Sequence, residues 1–397
     1  MPDRPPPIGD LAIVLHSHMP YVEGFGTYPF GEEWLFDAVC RSYLPVLEVA
    51  TRLTLTVTPV LADQLEAEGV GERMREFIAT HRAGGAAIDA EHVIPEERPA
   101  ARYWAERYGR ALARFDELDG DVVRGFAEAR DEGRIALMAS AATHAVLPMV
   151  ATQAGRRLQV DAGLRSHERR FGAAEGFWLP ECAYEPGLEE VLEERGVRFF
   201  CTDQSSAEAE MDALAPVRTP AGPVAFTIDW PTVQRVWSWG GYPADPAYAE
   251  HHSLSQQGTR LWSNGKRPYD PDAAAARARE QASEFVDAVA ERLAVYHDDR
   301  GPCGLVVFAT DTELIGHWWS EGPVWLAEVL RLAPERGVGL VTLPEALAAH
   351  EPEERPLSAS TWGEGKDLST WDCPEVADLA WGARRLELRL LRELGGG

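Results

Sequence analysis

Eight apolar, largely β-branched runs recur along the chain and limit what it can fold into: residues 11–15 (LAIVL), 53–58 (LTLTVT), 134–139 (RIALMA), 176–179 (GFWL), 198–201 (RFFC), 224–228 (VAFTI), 304–309 (GLVVFA) and 338–343 (VGLVTL). Between most of them lie stretches such as 34–50, 187–195, 273–296 and 322–333, whose apolar residues fall at the three- and four-residue spacing of a helix. Continuous apolar strands alternating with helices predict a parallel sheet covered on both faces, either a barrel or a doubly wound sheet. Residues 63–133 are longer than one crossover and rich in Glu, Arg and Ala, which predicts a helical excursion. Residues 230–272 are irregular and rich in Trp, Tyr, Gly and Pro. A loop of that length is usually functional or disordered, and its aromatic content argues for function.

The polar residues at the strand ends choose between the two architectures. His16 and His18 follow the first run and His144 the third, while Glu181, Asp203, Asp229 and Asp311 follow later ones. In a parallel barrel these ends converge on one rim, where the active sites of such barrels sit. A doubly wound sheet would spread them along a line. The barrel is therefore the expected fold.

Composition narrows the partners. With 64 acidic residues against 38 basic ones the net charge is −26, which disfavours nucleic acid and polyphosphate and suits a neutral, hydroxyl-rich substrate or simply a solvated surface. No apolar run reaches eighteen residues, so no membrane span is expected. The start, MPDRPPP, has neither the apolar core nor the cleavage site of a secretion signal. Five scattered cysteines without C-x-x-C spacing read as reduced core thiols of a cytoplasmic protein.

Two strings hold the candidate chemistry, GFWLPECAY at 176–184 and DTELIGHWW at 311–319. Each sets a carboxylate just beyond a strand among aromatic or imidazole groups. Paired carboxyls serve glycosyl chemistry: one attacks the anomeric carbon, the other protonates the leaving oxygen and later deprotonates the acceptor. Asp311 and Glu313 are two residues apart and would share a face of an extended segment, so spacing alone leaves the choice between them open. His16, His18 and His144 read either as sugar contacts or as a metal cluster, since His-x-His on a strand end also suits a metal.

Over nearly its whole length the chain resembles glycoside hydrolase family 57, and within it the 1,4-α-glucan branching enzymes. The resemblance rests on HSHMPYV (16–22), YPFGEEW (28–34), ATHAVLP (142–148), WLPECAY (178–184), VWSWGGYPADPAY (236–248), RPYDP (267–271), DTELIGHWWSEG (311–322) and STWGEGKD (360–367). It implies an incomplete (β/α)7 barrel over 1–350, with the 63–133 helical insertion and the 230–272 aromatic loop, then a shortened C-terminal helical region over 351–397. It further implies a retaining mechanism on α-1,4-glucans such as amylose or glycogen, without cofactor or metal, with Glu181 as nucleophile and Asp311 as acid/base. Hydrolysis of the α-amylase kind, or 4-α-glucan transfer, remains open on the same site. Glu313 is then expected to orient a neighbour or a sugar hydroxyl. His16, His18, Tyr28, His144, Trp178, His317 and Trp318 are expected to contact sugar, with Trp262, Trp362 and Trp371 as stacking platforms. Tyr242 is expected at the tip of a lid, and His251 and His252 in solvent. Trp104, Trp325 and Trp381 lie in helical stretches and are expected to pack between elements.

Overall fold

Seven of the eight apolar runs become adjacent parallel strands in the computed structural model, which describes residues 7–27 and 31–395. They are β1 (Gly9–Ser17), β2 (Leu53–Val57), β3 (Ile135–Ser140), β4 (Gly176–Trp178), β5 (Phe199–Thr202), β6 (Val224–Thr227) and β7 (Gly304–Asp311). The order across the sheet is β6-β5-β4-β3-β2-β1-β7, and every pairing along it is parallel. The row curls until its ends meet: Asp229 N, just past β6, donates to Val307 O on β7 at 2.8 Å. The result is an incomplete (β/α)7 barrel. Strand interiors are buried on both faces, as a sheet jacketed by helices requires.

The eighth run behaves differently. Only Val338–Leu340 is extended, and it pairs with the first residues of β1, below the level where β2 joins. Thr342 then caps a helix, accepting from Glu345 N, which ends the strand early.

Six helical segments fill the long connection between β2 and β3, from Pro59–Leu65 to Val122–Asp131. The stretch read as one helix at 34–50 is helical as far as Val49 but carries a π-helical turn at Val39–Tyr43. Such turns rotate side chains out of the regular period and recur at functional sites.

After β6, Asp229 caps a short helix, Trp230–Val236, and Asp270 caps the helix Pro271–Arg300. The irregular chain between them is anchored by buried Tyr248, Leu261 and Tyr269. Beyond residue 350 a strap folds back over the rim and leads into the helix Ala377–Glu393. There Glu387 accepts from Ala151 N and Thr152 N at 2.8 and 3.0 Å, at the start of the helix Gln153–Phe171. Trp381 does not pack between helices as expected. It is exposed, with Arg384 lying across its ring.

All five cysteines are free; Cys40, Cys182 and Cys201 are buried, whereas Cys303 is exposed. Among the described residues no helix is long and apolar enough to cross a membrane.

Candidate active site

The ladder register builds the floor of the rim. Thr56, His16 and Asp311 occupy one row across β2, β1 and β7. Residues in one row of a parallel sheet share a face, so all three side chains point the same way. Thr56 Oγ1 lies 2.6 Å from His16 Nδ1, and His16 Nε2 lies 2.9 Å from His144 Nε2, one ring of that pair holding the shared proton. His18 stacks on His144 with ring centroids 3.8 Å apart and has Nδ1 3.2 Å from Thr58 Oγ1. Trp178, fully buried, lies flat beneath His16 at 4.7 Å. Trp178 was expected to contact sugar; buried as it is, it supports a histidine instead.

All three imidazoles are held neutral. Burial pulls His18 to about 4 and His144 to about 3, and pulls His16 well below the usual histidine range. His16 and His144 aim their Nε2 atoms at each other rather than at a common ion. Among the described residues no group of three or more His, Cys, Asp or Glu side chains is arranged to hold a metal.

Glu181 stands on a turn after β4 in a left-handed conformation (φ 59°), as does Cys182 (φ 47°). His144 and Lys366 share this backbone state, so four of the seven positive-φ non-glycine residues among those described belong to the rim. Backbone strain collects where a side chain must be aimed. Burial raises the Glu181 pKa. Burial, and then the charge of Glu181, raise Asp311 to about 7. Glu313 is pushed to about 8 by burial and by Asp311. It also accepts from His18 N at 3.0 Å and from the hydroxyl of Tyr43. Thus Glu313 orients its neighbours, and the three carboxyls form one coupled set.

The strap completes the wall. Trp362 N donates to Glu181 O at 2.7 Å, and Tyr184 and Ser360 exchange backbone bonds. The Trp362 ring meets Trp178 edge to face at 5.1 Å. Lys366 bridges to buried Asp203 at 2.8 Å and lies 3.6 Å from the Trp230 ring centre. Asp203 and Asp229, the latter paired with Arg292 at 2.6 Å, are accordingly structural at the rim.

Other sequence-derived positions lie further out. His317 is buried, and the charges acting on it are Arg41, Asp37, Arg260 and Arg82 rather than the carboxyl set. Trp318 is half exposed and packs against His251 at 4.5 Å, so His251 belongs to the wall and not to solvent. His252 is exposed, as expected. Trp262 is partly buried, its indole N–H donating to Glu97 of the helical insertion at 2.9 Å. Trp371 sits beside Gly363 and lines a groove of roughly 720 Å³ between the helices Gln153–Phe171 and Ala377–Glu393. Tyr242 is buried against Trp319 and Trp325; the tip of its segment is Trp239, fully exposed. The lid-tip position expected for Tyr242 is therefore wrong, because its ring packs into the core while the turn before it projects. Tyr28 lies outside the described residues.

Sequence reading missed Tyr43, Thr56, Thr58 and the Lys366–Asp203 bridge. The threonines left a signal: Thr54, Thr56 and Thr58 alternate through an apolar run, the pattern of polar groups lining a barrel interior. Tyr43 left none, since its place depends on the π turn.

An incomplete parallel barrel with a coupled set of carboxyls at the carboxyl ends of its strands is the arrangement on which carbohydrate-active enzymes of the glycosidase type are built. The chain belongs to glycosyl hydrolase family 57, whose model matches residues 12–358. It is 34% identical over 417 residues to a 1,4-α-glucan branching enzyme of Thermococcus kodakarensis, an alignment covering 91% of this chain and 61% of that protein. The chain thus spans about three fifths of that relative's length. The crystal structure of a branching enzyme from Pyrococcus horikoshii superposes with a TM-score of 0.89 at 31% identity, covering 95% of this chain and 77% of that one. An α-amylase from Thermotoga maritima superposes with a TM-score of 0.82 at 27% identity, covering 89% and 77% respectively.

Proposed function

We propose that this chain is a retaining 1,4-α-glucan branching enzyme acting on amylose, glycogen or a related polysaccharide. One observation carries the reading: the carboxyls on the turn after β4 and at the end of β7 share one rim, and the charge of Glu181, after burial, helps keep a proton on Asp311. A nucleophile must be ionised while its partner stays protonated near neutral pH, and this arrangement divides the roles in that way. The likeness to branching enzymes over nearly the whole chain supplies the substrate class.

In the proposed sequence the Glu181 carboxylate attacks C1 of the glucosyl unit at the scissile bond. The C1–O4 bond breaks, and the Asp311 proton passes to O4 of the departing chain. Asp311, now ionised, takes the proton from a 6-hydroxyl of an acceptor chain. That oxygen attacks C1, the bond to Glu181 breaks, and an α-1,6 branch is formed with the anomeric configuration retained. His18 Nε2 and His144 Nδ1, the ring nitrogens not taken by Thr58 and His16, face sugar hydroxyls in this reading, with His16 buried behind them as their support, while Trp318 and Trp362 offer apolar faces. Three buried free thiols support a cytoplasmic setting.

The likeness to an α-amylase favours a second reading, in which water replaces the acceptor hydroxyl. Amylose incubated with the purified protein separates the two. Branching lowers iodine staining with little new reducing sugar and leaves linkages that isoamylase cuts. Steady release of reducing ends without such linkages would establish hydrolysis instead.

A further inference from the structure

Four arginines, Arg41, Arg82, Arg107 and Arg260, cluster against the 313–320 turn, each no more than 8% exposed. Asp37 answers them only in part. Its carboxylate takes two bonds from Arg82, at 2.6 and 2.9 Å, and lies 3.8 Å from Arg41 Nη1, beyond hydrogen-bond reach. Arg107 directs its donors to Tyr103 Oη, Ser320 O and Arg41 O. The nearby carboxylate of Glu321 takes its bonds from Tyr269 and Ala249 N on Oε1, while its Oε2 is buried without a hydrogen-bond partner among the described residues. Also unpartnered are five groups on the arginine side, Arg41 Nε and Nη1, Arg260 Nε and Nη1, and the Tyr108 hydroxyl. All five are buried, and none has a hydrogen-bond partner among the described residues.

Trp104 ties these groups into one place. Its indole N–H donates to Arg260 O at 2.7 Å, and its ring lies 5.9 Å from the Arg41 guanidinium and 5.6 Å from the Tyr108 ring. The two arginines are near enough to repel. Burial and the charge of Arg260 pull Arg41 down to about 10.

Buried charges are ordinarily paired, and buried donors ordinarily bonded, because leaving them bare loses solvation that nothing replaces. The ligand such a cluster needs is defined by what it offers, namely donors and positive charge. A water could accept from two of the N–H groups, but it carries no charge, and the repulsion between guanidiniums would remain. An anion accepts from all of them and removes the repulsion. The donors are already packed around Trp104, which suits a small spherical ion better than a tetrahedral oxyanion.

We infer that Arg41, Arg260 and Tyr108 enclose a binding site for a monovalent anion of chloride size. The inference does not depend on which glucan reaction the protein performs. Its consequence for the rim runs through Arg41. Tyr43, on the same π turn, holds Glu313. Gly316 passes so close that a Cβ there would stand 2.0 Å from Arg41 O, at a φ of 112° open mainly to glycine. An anion that fixes Arg41 therefore fixes the floor under Asp311 and Glu313.

The test is bromide in place of chloride. Crystals soaked in sodium bromide should give an anomalous peak between the Arg41 and Arg260 guanidiniums. In solution, sodium chloride should raise Tm by about 1–4 °C over sodium gluconate at matched ionic strength. Activity should rise with it. Arg260→Gln should lose the difference between the two salts. The wild-type comparisons decide the matter even if that variant folds poorly. No anomalous peak at the cluster, or a Tm that follows ionic strength whatever the anion, overturns the inference.

Discussion

At the scale of single residues, proton placement is what the site controls. Asp311 keeps a proton up to about pH 7, whereas Glu181, raised above the ordinary range, must lose one to attack. The profile of kcat/KM against pH should therefore be a bell, its alkaline limb near 7 and its acid limb above the range of a free glutamate. Glu181→Gln should abolish turnover and also lower the Asp311 pKa, because the second cause of its rise is gone. Burial remains, so the value should stay above that of a free aspartate. Carbon-13 NMR of the labelled carboxyl would read this, and an unchanged or higher value would rule the coupling out. The histidines act oppositely on stability. His144 is neutral in the fold down to about pH 3, while in the unfolded chain it takes up a proton near 6.5. Its contribution is present above 6.5 and lost as pH falls through that window. His144→Asn should flatten the decline of Tm between pH 6.5 and 4, and a slope equal to wild type would refute the account. The carboxyls and histidines were legible in the sequence because they follow apolar runs inside recognisable strings. Tyr43 and His251 were not, since their neighbours come from segments about 270 and 66 residues away.

Among elements, the strap at 358–371 does most to shape the rim, because it is the piece tied directly to the Glu181 turn. Its anchor is the Lys366–Asp203 bridge, with Asp203 only 1% exposed. Lys366→Met leaves that carboxylate buried without its counter-charge, held by Ser205 N and Oγ on Oδ1, a change worth about 2–4 kcal/mol. Asp203→Asn in the same chain removes the stranded charge and should recover most of the loss, which a double-mutant cycle by calorimetry would read. In the single variant kcat should fall, since the Trp362–Glu181 tether aims the carboxylate, and KM should rise with it, since the Trp362 ring moves with the strap. If the double variant were as unstable as the single one, the bridge would not be the anchor. The strands at this scale were readable from β-branched runs, and their polar ends from position. The π turn was hidden: one extra residue in a helical turn leaves the apolar spacing of 34–50 looking like a single helix. The short strand at Val338–Leu340 was over-read for a different reason. Its run is as apolar as the others, but the Thr342 cap diverts the chain into a helix before a barrel strand can form.

For the molecule as a whole the barrel could be inferred because convergence of strand ends is a topological property, independent of side-chain packing. The surface charge was equally plain, but its effect needs a comparison of ranges. The many Arg–carboxylate pairs, such as Arg170 with Asp63 and Glu66, span about 2.5–3 Å. Repulsion among the acids in excess of bases, 64 against 38, acts over much longer distances. The Debye length is about 10 Å at 0.1 M salt, so added salt screens the long-range repulsion before it weakens pairs in contact. Exposed pairs are in any case worth only about 0–1 kcal/mol each. Net stabilisation by salt should win. Tm in sodium gluconate should climb from low ionic strength and level off near 0.1–0.2 M, where the screening length falls to about the spacing of neighbouring surface charges. Gluconate is the informative salt, because it screens the surface without entering a chloride-sized site. A Tm that stays flat or drops across that range would mean that the ion pairs, and not the net charge, dominate the electrostatics of this fold.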